Sequence, residues 1–477
     1  MSDAAEIGGL LSRAAGLGAW LADGRILGPL LRVLGAVVVT AGPWLVFVIG
    51  LGIISISMQP VLGRVGIENL RLTVVYAFLI APFVAGPVGV VAAALIRDQI
   101  EGDGERAVFE TFVIAAVVSG VICQILAILL CFALGIGPYG VAIAYVFLSV
   151  AGALLWICFA VLGALRANVF LIFAFSCGMV VSVLCNRAAA TASPTNETMI
   201  WGFTSGIVAC IALVMVYMRR LCGFDPRRLA AAARALAAGL RRRWRLALGV
   251  LFALSGVWMD KWVLWLGPEG LKTTAGFLHY SAYDTVMFIA HLSIIPVFAA
   301  MMIFHEITLT RAIGAYRQTL AEGANYALLR EAVERFGRTV LAGMLRISFI
   351  QAAVTTALVL MAPIIAQMIN FGYAQFFMLR YGLVAIFFYS IIYINCSVLL
   401  ICGRQRLFLL VQLSFLVLNL VSSIVLHRLI GVSVYPILGS AAVMCLASFA
   451  FAVQALWRYD YLMFLGENEQ LYAPPDR

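Results

Sequence analysis

The stretch from Val257 to Leu266, VWMDKWVLWL, decides how the whole chain is read. It sets Asp260 beside Lys261 in an otherwise apolar run. Trp258, Trp262 and Trp265 recur at i, i+4 and i+7, a spacing that places them on one face of a helix. Ionisable groups inside a membrane span are costly and face a protein interior or a water-filled cavity. Here an acid and a base are neighbours, so the site is neutral overall.

The composition supports the membrane setting. Of 477 residues, 64% are hydrophobic and only 11% are charged, which fits a polytopic membrane protein and no soluble globular class. The ten cysteines are scattered, mostly through apolar runs, with no CxxC and no Cys/His ligand spacing. Neither a metal, a cofactor nor a disulfide framework is expected. The net charge of +10 is explained by Arg-rich cytoplasmic loops rather than by nucleic acid. No GxxxxGK[ST], GxSxG or HExxH motif occurs, so no enzymatic activity is expected. A GxGxxG at Gly135, Gly137 and Gly140 follows no strand and is interrupted by Pro138. Asp3 and Glu6, with no small-residue cleavage site, argue against a signal peptide.

Working outward, twelve apolar stretches are long enough to span a bilayer. They cover roughly 30–58, 71–96, 108–134, 139–164, 168–188, 198–218, 246–267, 282–306, 341–369, 378–402, 407–429 and 434–457. The basic segment 219–245, RRLCGFDPRRLAAAARALAAGLRRRWR, divides them six and six. The expected fold is therefore an all-α polytopic membrane protein of two six-helix bundles, 30–218 and 246–457. The segment 219–245 becomes a cytoplasmic linker helix on the anionic inner leaflet. A second cytoplasmic insertion, 309–340, carries two apolar stripes broken at Gly323 and forms either a bundle cap or a docking surface. Most of the 32 Lys and Arg residues fall on one side of this arrangement. Arg64, Arg71, Arg187, Lys272, Arg380 and Arg428 fall on the other. The bias makes both termini cytoplasmic, with tails at 1–29 and 458–477.

Within this frame the candidate site residues are few. Asp284, in YDTVMFIAH, opens the next span at a depth similar to Asp260 and is expected to face it. His291 and Ser293 lie deeper on that span, and His305 and Glu306 near its inner end. Asp260, Lys261, Asp284, Trp258, Trp262, His291, Glu306 and Trp44 form the expected substrate path. Proline removes a backbone donor and invites a kink, which makes Gly42, Pro43 and Pro296 the gating candidates. Trp and Tyr faces, with Asn395, Gln412 and Asn419 in later spans, suit a cargo rich in hydroxyl groups. Gly202 and Gly206 form a GxxxG, the mark of a close helix contact.

Five blocks carry a family resemblance: IGGLLSR near the N-terminus, TAGPWLVFVIG, GVWMDKWVLWLGPEG, HYSAYDTVMFIAHLSIIPVFAAMMIFHE and AYRQTLAEG. With them the chain resembles the PelG family, inner-membrane transporters of the bacterial Pel exopolysaccharide system. The match covers nearly the whole chain. Two departures are visible: no Phe-Glu pair follows the first Ile-Gly, and Ile307-Thr308 replaces an acidic cluster after Glu306. The resemblance implies the multidrug/oligosaccharidyl-lipid/polysaccharide (MOP) flippase-like superfamily and an N-acetylgalactosamine-rich polymer as cargo. It also implies partners: a cytoplasmic glycosyltransferase and inner-membrane regulatory subunits, one sensing cyclic-di-GMP. The rival expectation is a proton- or cation-coupled antiporter or flippase of a small molecule or lipid-linked oligosaccharide, with Asp260, Asp284 and Glu110 as coupling acids. A structural scaffold is the third. The segment RDQIEGDGER lacks the basic pattern of major facilitators.

Overall fold

A bilayer core about 30 Å thick is crossed by about 20 helical residues, so helix lengths set the architecture. The structure is a computed structural model that describes residues 27–101, 107–323 and 326–459, with side chains in the first helix from Val46 onward. Most of the two expected tails, 1–29 and 458–477, lies outside the described residues. Eleven helices among the described residues are long and apolar enough to cross a membrane.

The first helix, α1 (Leu27–Glu101), is 75 residues long, roughly 110 Å at 1.5 Å per residue. It contains two spans, because Gly63 breaks it with φ 68° and ψ −179°. Only glycine adopts that conformation without strain. The outward turn expected over 59–70 is thus helical on both sides of one residue. Then follow α2 (Val108–Leu134), α3 (Tyr139–Ala164), α4 (Asn168–Ala192) and α5 (Asn196–Cys222). After a short 3-10 turn come α6 (Leu229–Arg242) and α7 (Trp244–Leu266). A two-stranded hairpin, β1 (Leu271–Lys272) and β2 (Leu278–His279), is an element the sequence did not announce.

The next span is continuous in sequence and broken in structure. It runs through α8 (Ser281–Leu292), α9 (Ile295–Ile303), a π-helical turn (Phe304–Leu309) and α10 (Thr310–Ala321). The last elements are α11 (Tyr326–Ile369), α12 (Tyr373–Ile401), α13 (Gln405–Ile430) and α14 (Tyr435–Trp457). The expected insertion at 309–340 is made of α10 and the first turns of α11, which continue two apolar helical segments and meet at a turn where Gly323 has φ 69°.

The chain divides into two units. One takes residues up to Ser255 together with Trp265–Tyr280; the other takes Gly256–Leu264 and the chain from Ser281 onward. In the first unit α1 packs on α3 and α4, α3 on α2 and α5, and α4 on α5. The α4–α5 contact uses glycine: a Cβ on Gly178 would lie 2.5 Å from the Gly206 carbonyl oxygen, and one on Gly202 would meet Asn186. Small residues let membrane helices approach closely where lipid supplies no hydrophobic drive. In the second unit α12 packs on α14, α11 and α8, and α13 on α14. The outer faces of both units are apolar, as at Phe132 (82% exposed), Phe349 (74%) and Leu446 (74%). Such faces belong in acyl chains, not in water.

The linker helix α6 is fastened at both ends. The Asp225 amide donates to Glu110 Oε1 at 2.7 Å, Asp225 caps the turn by accepting from the Arg227 amide at 3.0 Å, and Arg243 pairs with Asp98 at 2.6 Å. Between these points Ala232, Leu236 and Gly239 are buried on α1 and α2, with Gly239 close to Val91 and Leu95. Arg227, Arg234, Arg241 and Arg242 remain exposed.

Candidate functional site

Asp260 and Lys261 lie two turns from the end of α7, and both are buried, at 0% and 5% exposure. Burial of two charges is tolerated only when their partners are well placed. The Lys261 Nζ lies 3.5 Å from Asp260 Oδ1. It donates to the Val257 carbonyl one turn back at 3.3 Å and sits 5.2 Å from the centre of the Trp258 ring. The other carboxylate oxygen, Oδ2, accepts a 2.5 Å hydrogen bond from the hydroxyl of Tyr283. Tyr283 is itself fully buried. Asp260 Oδ1 takes no hydrogen bond among the described residues and is left to the ion pair.

The first turn of α8 thus reaches Asp260 through Tyr283. Asp284 is half-buried and makes contacts of its own. Two turns on, His291 Nδ1 lies 2.6 Å from the Met287 carbonyl, while its Nε2 is buried without a hydrogen bond. The helix stops just beyond it. Pro296 has no amide to offer, so the chain crosses Ser293 and Ile294 in a tight turn before α9. The Ser293 hydroxyl donates to the Ala290 carbonyl at 2.7 Å. Beside the break lies an apolar groove of about 330 Å³ lined by Leu292, Ser293, Pro296, Leu358, Leu379 and Leu383.

Apart from Trp258, the other candidates are spread over several elements. Glu306 is exposed in the π-helical turn, and its neighbour His305 lies 2.9 Å from Ser397 on α12. Trp258 serves Lys261, Trp262 is half-buried, and Trp265 stacks on Tyr76 in the first unit at 5.2 Å. The shared tryptophan face is therefore divided between uses. The surroundings of Gly42 and the side chains of Pro43 and Trp44 lie outside what the structure describes. The buried amides also have structural work. Asn419 donates to the Gly256 carbonyl at 2.9 Å, Asn395 to Ser448 at 2.9 Å, and Gln412 to the Cys396 sulfur at 3.3 Å. Gly256 is needed at its contact, since a Cβ there would lie 2.8 Å from the Phe415 ring.

Comparison with known proteins bears on the fold. Solved structures that share it include three transporters. An outward-facing multidrug-resistance MATE transporter of the MOP superfamily has 14% identity and a TM-score of 0.64, covering 93% of this chain and 98% of its own. A MOP superfamily transporter from Pyrococcus furiosus has 14% identity and a TM-score of 0.64, covering 92% and 98%. A bent-form Vibrio cholerae MATE transporter has 14% identity and a TM-score of 0.62, covering 90% and 98%. No curated protein sequence matches. Family and fold are those of transporters, not enzymes. A family model described as an "exopolysaccharide Exporter (EPS-E)" matches residues 21–464, and the chain accordingly belongs to the PelG family of exopolysaccharide exporters.

Proposed function

We propose that this chain exports a Pel-type, N-acetylgalactosamine-rich polymer across the bacterial inner membrane for the biofilm matrix. The observation that carries the reading is the family match across residues 21–464, on a fold of membrane-spanning helices. In this reading 30–218 and 246–457 act as two bundles joined by the basic linker 219–245. Both termini are cytoplasmic, in keeping with the Arg-rich loops. A cytoplasmic glycosyltransferase supplies polymer, and inner-membrane regulatory subunits, including a cyclic-di-GMP sensor, license the process. The substrate path takes in Asp260, Lys261, Asp284, Trp258, Trp262, His291, Glu306 and Trp44. Gly42, Pro43 and Pro296 supply the bends that gate it.

A strain deleted for this reading frame and complemented with the chain tests the reading. Lectin staining for N-acetylgalactosamine outside the cells is expected to return with the chain and to be lost without it. Unchanged staining in the deletion strain would end the proposal. The likeness to MATE transporters favours a second reading, a proton- or cation-coupled antiporter or lipid-linked oligosaccharide flippase. Gradient-driven movement of a small molecule by the isolated chain in vesicles would favour it.

A further inference from the structure

The partners of Lys261 have a chemistry of their own. Its Nζ meets a carboxylate oxygen of Asp260 at 3.5 Å, a main-chain carbonyl oxygen of Val257 at 3.3 Å and the face of Trp258 at 5.2 Å. Carboxylate and carbonyl oxygens are ligands for hard metal cations, and an indole face attracts a cation electrostatically. The carboxylate is fixed from its other side by the Tyr283 hydroxyl, which leaves Oδ1 turned to the ammonium. The position is dry: Asp260 is 0% exposed and Lys261 5%.

We propose that Lys261 is a tethered counter-ion standing in a monovalent-cation site, and that it closes this site to Na⁺ or K⁺. A free cation could enter only beside the ammonium, giving two positive charges against one carboxylate in a medium that screens them poorly. The site then supplies no coupling to a Na⁺ or K⁺ gradient. Removing the ammonium opens it. Lys261→Met keeps much of the side-chain volume while taking the ammonium away from Asp260 Oδ1, the Val257 carbonyl and the Trp258 ring. The proposal concerns ion binding alone and makes no assumption about cargo.

The test uses the purified full chain in phospholipid nanodiscs, with thermal unfolding followed in NaCl, KCl and choline chloride at equal ionic strength. The parent is expected to unfold at the same temperature in all three. Lys261→Met is expected to gain several degrees, saturably, with Na⁺ or K⁺ over choline. Asp260→Asn combined with Lys261→Met should lose that gain. A saturable Na⁺ or K⁺ response in the parent that Asp260→Asn removes would overturn the proposal. So would a folded Lys261→Met that responds to neither ion. Where Lys261→Met does not accumulate, Lys261→Gln gives the same comparison. Radiolabelled Na⁺ binding to the parent decides independently: binding overturns the proposal, and its absence supports it.

Discussion

At the scale of single residues, the Asp260–Lys261 pair is held by two hydrogen bonds, an ion pair and a ring face. Removing one partner of a buried pair costs roughly 3–5 kcal/mol because the other is left uncompensated. Asp260→Asn is therefore expected to lower the unfolding temperature well below that of Asp284→Asn, as scanning fluorimetry would record. Equal values would mean that the pair is not held as described. Asp284→Asn is expected to fold normally and to export less polymer; unchanged export would take Asp284 out of the path. A second prediction concerns Cys402, in the turn after α12. Its thiol is buried, with the residue 6% exposed. Only the thiolate reacts, so a version keeping Cys402 alone should label slowly with maleimide at neutral pH. Labelling should quicken as pH rises and on unfolding; fast labelling of the native protein would contradict the burial. Asp260 and Lys261 were legible in sequence because charge in an apolar run is conspicuous. Tyr283 was legible only as one of the aromatic faces suited to cargo, because a tyrosine near a helix start has no pattern that marks it as the hydrogen-bond donor to a buried acid.

At the scale of elements, the helices follow from apolar length, and their breaks follow from glycine and proline. Gly206→Val would drive side-chain atoms into the Gly178 carbonyl and Ser182. Overpacking of this kind costs about 1–3 kcal/mol. A lower unfolding temperature and reduced accumulation are expected, and an unaffected variant would show that α4 and α5 can separate there. Pro296→Ala restores an amide at the α8–α9 break and is expected to straighten it. Export should fall several-fold with folding intact, by the lectin assay; normal export would remove Pro296 from the gate. The spacing of Gly202 and Gly206 announced a close contact, and the structure shows it. The fusion of the first two spans around Gly63 was less legible, because the residues between them are polar enough to resemble a turn. The hairpin was hidden for a different reason. Two-residue strands carry no periodicity, and their stability comes from what they rest on.

At the scale of the whole molecule, the partition does not follow the order of the sequence. Residues 265–280 come after the basic linker yet cluster with the unit built from the first half of the chain. There Asn69 donates to Thr274 at 2.7 Å, Tyr76 donates to the Leu278 carbonyl at 2.8 Å, and His279 lies 3.5 Å from Glu68. Phe277 is wholly buried, packed against Tyr76 and Tyr145. Gly276 permits the closest approach, since at φ 97° a Cβ would lie 2.8 Å from the Gly135 carbonyl oxygen. A gene cut in two for co-expression should feel this. A leading fragment that stops at Arg245 would carry Asn69, Tyr76 and Tyr145 without the 265–280 segment they pack on, and should be recovered poorly. One extended through Tyr280 keeps these contacts and should be recovered better, although its break falls at the mouth of a helix instead of in the loop that convention would choose.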